Sequence, residues 1–385
     1  MVELASKTIP LERLERRNCA KWTRYPEGVL PLWVAEMDLP IAQPIRVAIK
    51  AQVDAHDLGY PMKGGAPGMC EALLGRLAGR YGLKVPAEGV LALSSTVTGL
   101  NLASRAFANE ADEVLLLTPL YPPFKHSVEV TGRVPVEVEL VDDVDGYAID
   151  LDAMQAAVTP ATRILMLCNP HNPVGRVFTI EELHGLADLA LRNDLMIVSD
   201  ELHADLLFDG RHVPIASLGD EVAARTVTLY GPSKAFNVPG LNVSFALASD
   251  PTLLERMRTA AGGLLGGPNR LAQAATVAAY TEGDTWLDDT LALLASNRQH
   301  LTSFVREKLP RVKLHPPQGT YLAWLDLRES GLGEEPAKEL VERAKVGLSE
   351  GADFGLGGKG FARLNFATSP EILGLALERL HAALG

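Results

Sequence analysis

A chain of 385 residues exceeds what one small core organises and predicts two domains, or one large and one small. Apolar residues make up 47% and charged residues 22%, a globular composition that excludes a disordered chain. The formal net charge of −12 opposes nucleic acid and anionic membrane surfaces at long range, so a small molecule is the expected partner.

The opening stretch, MVELASKTIPLERLERRN, is charged where a signal peptide is apolar, and no run approaches the roughly eighteen apolar residues of a spanning helix. A cytoplasmic location is expected. The three cysteines, Cys19, Cys70 and Cys168, lack any C-x-x-C spacing and predict neither a disulfide framework nor a metal site. Cys168 lies in an apolar run and reads as core.

From about residue 90 short apolar runs alternate with helical patterns, the signature of an α/β domain with a mostly parallel sheet. In chain order the runs are GVLAL, EVLLL, RILML, LMIVS, TVTLY and VSFALA. Between RILML and LMIVS, Thr179 and Glu182 form a capping-box pattern ahead of leucines at helical spacing, which completes one βαβ unit. Beyond Gly267 the pattern changes to long helices, notably TWLDDTLALLASNRQHLTSFVREKL, followed by strand candidates in TYLAWLDL and FARLNFA. Residues 45–285 therefore read as a large domain, and 1–44 with 286–385 as a smaller one. The sequence holds no repeat and no low-complexity segment.

Polar or turn clusters follow five of the six runs: SSTVTG, TPLYPPF, NPHNPVG, DELHADL and GPSKAFN. Open α/β sheets bind ligands outside the carboxyl ends of their strands, so these clusters can ring one pocket. Each also has an ordinary reading. Ser94, Ser95 and Thr96 can simply cap a helix, although free amides at a helix start also hold phosphate. Tyr121 can be a half-buried aromatic or a ring stacked on a flat ligand. The two Asn-Pro steps of NPHNPVG make turns whatever the function. Asp200, ending a strand expected to be buried on both faces, needs a partner, either a salt bridge or the basic nitrogen of a ligand. His203 can be an ordinary satisfied histidine. Lys234 can be a solvated charge or an amine that forms a Schiff base. A single ligand with a phosphate, a flat ring, a basic ring nitrogen and an aldehyde accounts for every cluster, and pyridoxal phosphate has all four.

The order Tyr121, NPHNPVG, Asp200, then Ser233-Lys234 resembles the fold type I pyridoxal-phosphate enzymes, the aspartate aminotransferase superfamily, over nearly the whole chain. Within it, KWTRYPEGVLPLWVAEMDLP, CNPHNPVGRVFT, DELHADL and PSKAFNVPGL resemble the MalY- and PatB-like branch of cystathionine β-lyases and carbon–sulfur lyases. The resemblance implies an α/β, aspartate aminotransferase-like fold, with a large domain built on a mostly parallel sheet and a smaller α+β domain. It implies that Lys234 carries the cofactor as a Schiff base and that Asp200 pairs with the pyridinium nitrogen. Asn172 and His203 would flank the phenolic oxygen, with Tyr121 on the ring face. Ser95, Thr96, Val97 and Ser233 would grip the phosphate. Tyr60 matches a tyrosine that reaches the neighbouring subunit's phosphate, which implies a homodimer with shared sites. Arg363 would clamp the substrate carboxylate, helped by backbone around Val34 and by Trp33. Gly231 stands where aminotransferases often have Ser or Thr, and Asn242 where they often have an arginine, so the expected phosphate grip rests more on amides and Tyr60.

The expected reaction is β-elimination from cystathionine or a related S-substituted cysteine to pyruvate, ammonia and a thiol. An aminotransferase sharing the same residues, and a protein-binding regulator that keeps the fold, remain as alternatives.

Overall fold

The computed structural model describes residues 8–61, 67–144 and 146–384. The first seven residues of the charged N-terminal stretch therefore lie outside it. A seven-stranded sheet forms the centre. Its strands are β1 (Val90–Leu93), β2 (Glu113–Thr118), β3 (Val134–Glu139), β4 (Thr162–Cys168), β5 (Met196–Asp200), β6 (Thr226–Tyr230) and β7 (Ser244–Leu247), in the spatial order β1-β7-β6-β5-β4-β2-β3. The pairs β2–β3, β2–β4, β4–β5 and β5–β6 are parallel. β7 runs antiparallel between β6 and β1.

All six apolar runs of the sequence become strands of this sheet. The seventh, β3, is an edge strand reading VPVEVE, mostly half-exposed. Its alternating Val and Glu and its Pro135 suit a strand with a single neighbour, but give none of the continuous apolar signal of a buried one.

Two-residue periodicity distributes the inner strands between two cores. Val114 and Leu116 of β2, with Ile164 and Met166 of β4, join a cluster completed by helices Thr96–Phe107 and Pro251–Ala260. Leu115, Leu117, Leu165 and Leu167 face the opposite cluster, where Leu183, Leu186 and Leu189 of helix Ile180–Arg192 pack. That helix starts with the capping box read from the sequence. The Thr179 side chain accepts from the Glu182 N–H, and the Glu182 carboxylate accepts from the Thr179 N–H.

The C-terminal part holds the 25-residue helix Asp284–Lys308 and a three-stranded antiparallel sheet of β8 (Leu322–Asp326), β9 (Ser349–Glu350) and β10 (Phe361–Asn365), with β10 central. The N-terminal segment joins it through Leu30–Pro31, which pairs in parallel with Val346–Gly347. Residues 33–40 then run from this pairing toward the large sheet. Asn237 and Asn365, from two different parts of the chain, hold that strap. The Asn365 amide donates to the carbonyls of Val34 and Glu36 at 2.6 and 2.7 Å. Asn237 accepts from the Met37 N–H and donates to the Met37 carbonyl. A fully buried ion pair, Lys21–Asp38 at 2.7 Å, fixes the far side. Among the described residues, no helix is long and apolar enough to cross a membrane.

Candidate active site

The carboxyl ends of β1, β2, β4, β5 and β6 open on one side of the sheet, and there a cavity of about 170 Å³ forms. Ser95, Thr96, Val97, Tyr121, Asn172, Asp200, His203, Ser233, Lys234 and Arg363 all line it, together with Val34 of the strap. Residues as distant in sequence as Ser95 and Arg363 thus meet because parallel strands deliver their ends to a common edge and β10 closes it from the other side.

The Ser95 side chain caps helix Thr96–Phe107, accepting from the Thr98 N–H at 3.1 Å. The helix N-terminus, with its unpaired first-turn amides, therefore opens into the cavity. Asp200 ends β5, is 6% exposed and accepts from the Leu202 N–H at 3.0 Å. Burial raises its pKa to about 6, against the opposing pull of the Leu202 N–H, the Thr96 side chain and Lys234. A carboxylate in this position gains from a cation brought in by a ligand.

Lys234 lies four residues beyond the end of β6, and its Nζ donates to the Ala35 carbonyl at 2.8 Å. Burial, then the nearby Arg363 charge, lower its pKa to about 8, opposed by Glu36 and Asp200. A substantial fraction of the amine is consequently neutral at mildly alkaline pH, which is the form that attacks a carbonyl. His203 is held neutral, with its pKa lowered to about 3 by burial and then by the Lys234 and Arg363 charges. Its buried Nδ1 has no hydrogen-bond partner.

Arg363, on β10, is 5% exposed. Its Nη1 donates to Asn172 Oδ1 at 3.0 Å, and its Nη2 to the Trp33 carbonyl and Ser349 Oγ at 2.9 and 3.1 Å. Among the described residues no carboxylate forms an ion pair with it, and its buried Nε is unpartnered. Burial lowers its pKa to about 10, still charged at neutrality. A buried guanidinium with neutral partners is a site waiting for an anion. Tyr121, half-buried, is tied through its N–H to the Asn172 carbonyl at 3.0 Å, and burial raises its phenol pKa.

Two expected site residues lie elsewhere. Trp33 contributes its carbonyl to Arg363, while its indole Nε1 donates to the Lys21 carbonyl and its ring lies under the Arg24 guanidinium at 4.4 Å. Tyr60 is fully exposed and outside the cavity of its own chain.

Other residues of the site escaped sequence reasoning. Tyr321 is 1% exposed; its hydroxyl donates to the same Ala35 carbonyl that receives Lys234, at 3.0 Å, and its ring packs edge-on to His203. In TYLAWLDL it reads as one more core aromatic. His171, fully buried, places Nε2 2.9 Å from the Pro119 carbonyl and Nδ1 3.2 Å from that of Cys168, so it ties together the loops that carry Tyr121 and Asn172. Burial lowers its pKa to about 4, and the neutral ring donates to one of the two carbonyls. Two Asn-Pro steps flanking a histidine were the available signal.

The residues present suit pyridoxal phosphate on the structure's own terms. They offer an amine of depressed pKa, a carboxylate whose pKa burial raises, an orphaned His203 nitrogen and a free helix N-terminus.

The model of the family described as aminotransferase class I and II matches residues 28–380. Cystathionine beta-lyase PatB of Bacillus subtilis is 37% identical over 384 residues, covering 97% of this chain and 98% of that protein. A cystathionine beta-lyase of Corynebacterium glutamicum is 36% identical, covering 97% and 99%. Among solved structures, cystalysin from Treponema denticola, which contains a pyridoxal 5'-phosphate cofactor, superposes with a TM-score of 0.92 at 29% identity, covering 98% of this chain and 97% of its own. The mostly parallel seven-stranded sheet and the cavity at its strand ends are thus those of a known lineage: the chain belongs to the aminotransferase class I and II family and, within it, to the PatB- and MalY-like cystathionine β-lyase branch.

Proposed function

We propose that the protein is a pyridoxal-phosphate-dependent carbon–sulfur β-lyase that acts on L-cystathionine or a related S-substituted cysteine, releasing pyruvate, ammonia and a thiol such as homocysteine. The observation that carries this reading is the meeting, in one cavity, of the depressed Lys234 amine, the isolated Asp200 carboxylate and the carboxylate-free Arg363 guanidinium.

The bound cofactor supplies an electron sink for the pair left when the substrate Cα–H bond breaks. The chain's own groups do the rest. Asp200, whose buried carboxylate ionises more readily once a cation stands opposite it, would keep a proton on the ring nitrogen. Asn172 and His203 would flank the phenolic oxygen, and Tyr121 would cover the ring face. Lys234 carries the cofactor at rest and, once the substrate amine displaces it, takes the Cα proton as a general base. Arg363 holds the substrate carboxylate as a bidentate fork, with the strap at Val34 and Trp33 beside it. This fixes which face of Cα meets Lys234. With a sulfur substituent at Cβ, the electron pair moves into a Cα–Cβ bond as the Cβ–S bond breaks and the thiolate leaves. The released enamine hydrolyses to pyruvate and ammonia.

The smaller details belong to the same proposal. Ser95, Thr96, Val97 and Ser233 hold the phosphate, and Tyr60 completes the site of a second subunit in a homodimer. Residues 45–285 form the cofactor-holding domain, and 1–44 with 286–385 the smaller one. The enzyme works in the cytoplasm on a small amino-acid substrate. The test is to incubate the cofactor-loaded protein with L-cystathionine and measure pyruvate and free thiol together. Equal amounts of both are expected, produced catalytically. Transfer of the amino group to an added 2-oxo acid, with neither pyruvate nor thiol formed, would overturn the lyase reading in favour of transamination.

A further inference from the structure

Among the described residues, one buried hydroxyl lining the cavity stands without a partner. Ser244 opens β7 and pairs across the sheet with Leu93 of β1, directly before Ser94 and Ser95. It is 1% exposed, lines the cavity, and its buried Oγ makes no hydrogen bond. A desolvated hydroxyl without a partner is unfavourable, and such groups in native proteins are satisfied by something outside the protein's own atoms.

Gly231 explains how β7 comes so close. A Cβ at position 231 would stand 3.0 Å from Ser244 Cα, 3.2 Å from Ser244 Cβ and 3.2 Å from the Val243 carbonyl oxygen. Glycine serves the close backbone approach here, since a Cβ would press β7 away and its φ is not in the left-handed region. Absence of a side chain just past β6 thus leaves room for the start of β7 at Val243 and Ser244.

The charges around the cavity give that hydroxyl a task. Among the described residues, Lys234 and Arg363 are the only Lys or Arg lining it. Lys234 is drawn to the Ala35 carbonyl, and Arg363 to Asn172, Trp33 and Ser349. The end formed by β1, the start of helix Thr96–Phe107 and β7 therefore offers an anion only neutral donors. Beside the first-turn amides, the buried Ser244 hydroxyl is a donor with no prior engagement.

We propose that Ser244 is a phosphate ligand of the cofactor, its hydroxyl donating from β7 to the group that the helix N-terminus faces. The inference rests on the reading of the cavity as a pyridoxal-phosphate site, and the experiment separates the two. Apoprotein is titrated by absorbance and fluorescence with pyridoxal phosphate and, separately, with pyridoxal, which lacks the phosphate. Wild type that takes up neither overturns the cofactor reading and the inference together. With wild type preferring the phosphorylated form, S244A is expected to bind pyridoxal phosphate about ten-fold more weakly, the lower end for a hydrogen bond to a charged group. Its pyridoxal affinity stays unchanged. The S244A apoprotein melts no lower than wild type, because the lost hydroxyl had no partner, and S244T, which keeps a hydroxyl, keeps more of the preference. A wild-type ratio of the two affinities in S244A, or an equal loss for both ligands, would overturn the role assigned to Ser244.

Discussion

At the scale of single residues, the site concentrates groups whose environments work against their charged states. Asp200 is the clearest case, because the burial of its carboxylate outweighs the opposing pull of the Leu202 N–H, the Thr96 side chain and the Lys234 charge. Its pKa rises from 3.8 to about 6. Between these values the folded apoprotein holds a proton that the unfolded chain has released, so stability falls as pH rises through this window. Above pH 6 the full penalty applies, on the order of 3 kcal/mol for a shift of this size. Asp200→Asn removes that penalty. The variant apoprotein should melt at or above the wild-type temperature at pH 8, with the advantage gone below pH 4, while the extra stability conferred by cofactor should shrink. A variant apoprotein markedly less stable than wild type at pH 8, measured by scanning calorimetry, would show that the carboxylate is already well satisfied without a ligand. Such a conflict between stability and charge is what a site built for a cation looks like before the cation arrives.

At the scale of elements, the strap 33–40 links both halves of the site. Ala35 gives its carbonyl to Lys234 and Tyr321, Trp33 gives its carbonyl to Arg363, and Asn365 holds Val34 and Glu36. Asn365→Ala removes the amide that donates to the part-buried carbonyls of Val34 and Glu36, of which Glu36 still receives Lys21 Nζ at 3.0 Å, and should lower stability by about 1–3 kcal/mol. It should also raise KM for the amino-acid substrate more than it lowers kcat, because Arg363 and Val34 lose their relative position. Unchanged KM in a destabilised variant would mean that the strap is held without Asn365. None of these contacts was legible in the sequence. Asp200, Lys234 and the NPHNPVG loop were, because each follows an apolar run, and the ends of parallel strands converge by topology. The strap contacts join residues some 200 to 330 positions apart, where no local pattern reports a pairing. Ser244 was hidden for a different reason: a serine opening an apolar strand is indistinguishable from ordinary strand alternation, and its meaning comes from Gly231 just past the end of the neighbouring strand. The edge strand β3 was missed because a half-exposed strand with a proline lacks the continuous apolar run used to recognise its neighbours.

At the scale of the whole molecule, a single chain leaves Tyr60 fully exposed, together with Ile41, Val47, Val53 and Leu58 in the segment that leads to it. A homodimer that buries this surface and inserts Tyr60 into the opposite cavity predicts complementation between subunits. Lys234→Ala and Tyr60→Ala homodimers should each be impaired. A refolded mixture of the two should recover about a quarter of wild-type turnover, because half the dimers are hybrids and each hybrid has one intact site. No recovery above the average of the parents, in a mixture shown to exchange subunits, would place Tyr60 in the service of its own chain or of none. The net charge of −12 fits an enzyme whose partners are small zwitterions and not polyanions.

Reduction of the cofactor-loaded protein with borohydride, followed by peptide mass analysis, tests the central claim most directly. The account predicts one pyridoxyl-phosphate adduct per chain, on the peptide containing Lys234, with loss of the visible absorbance. An adduct on any other residue, or protein that takes up no cofactor and stays colourless, would contradict it.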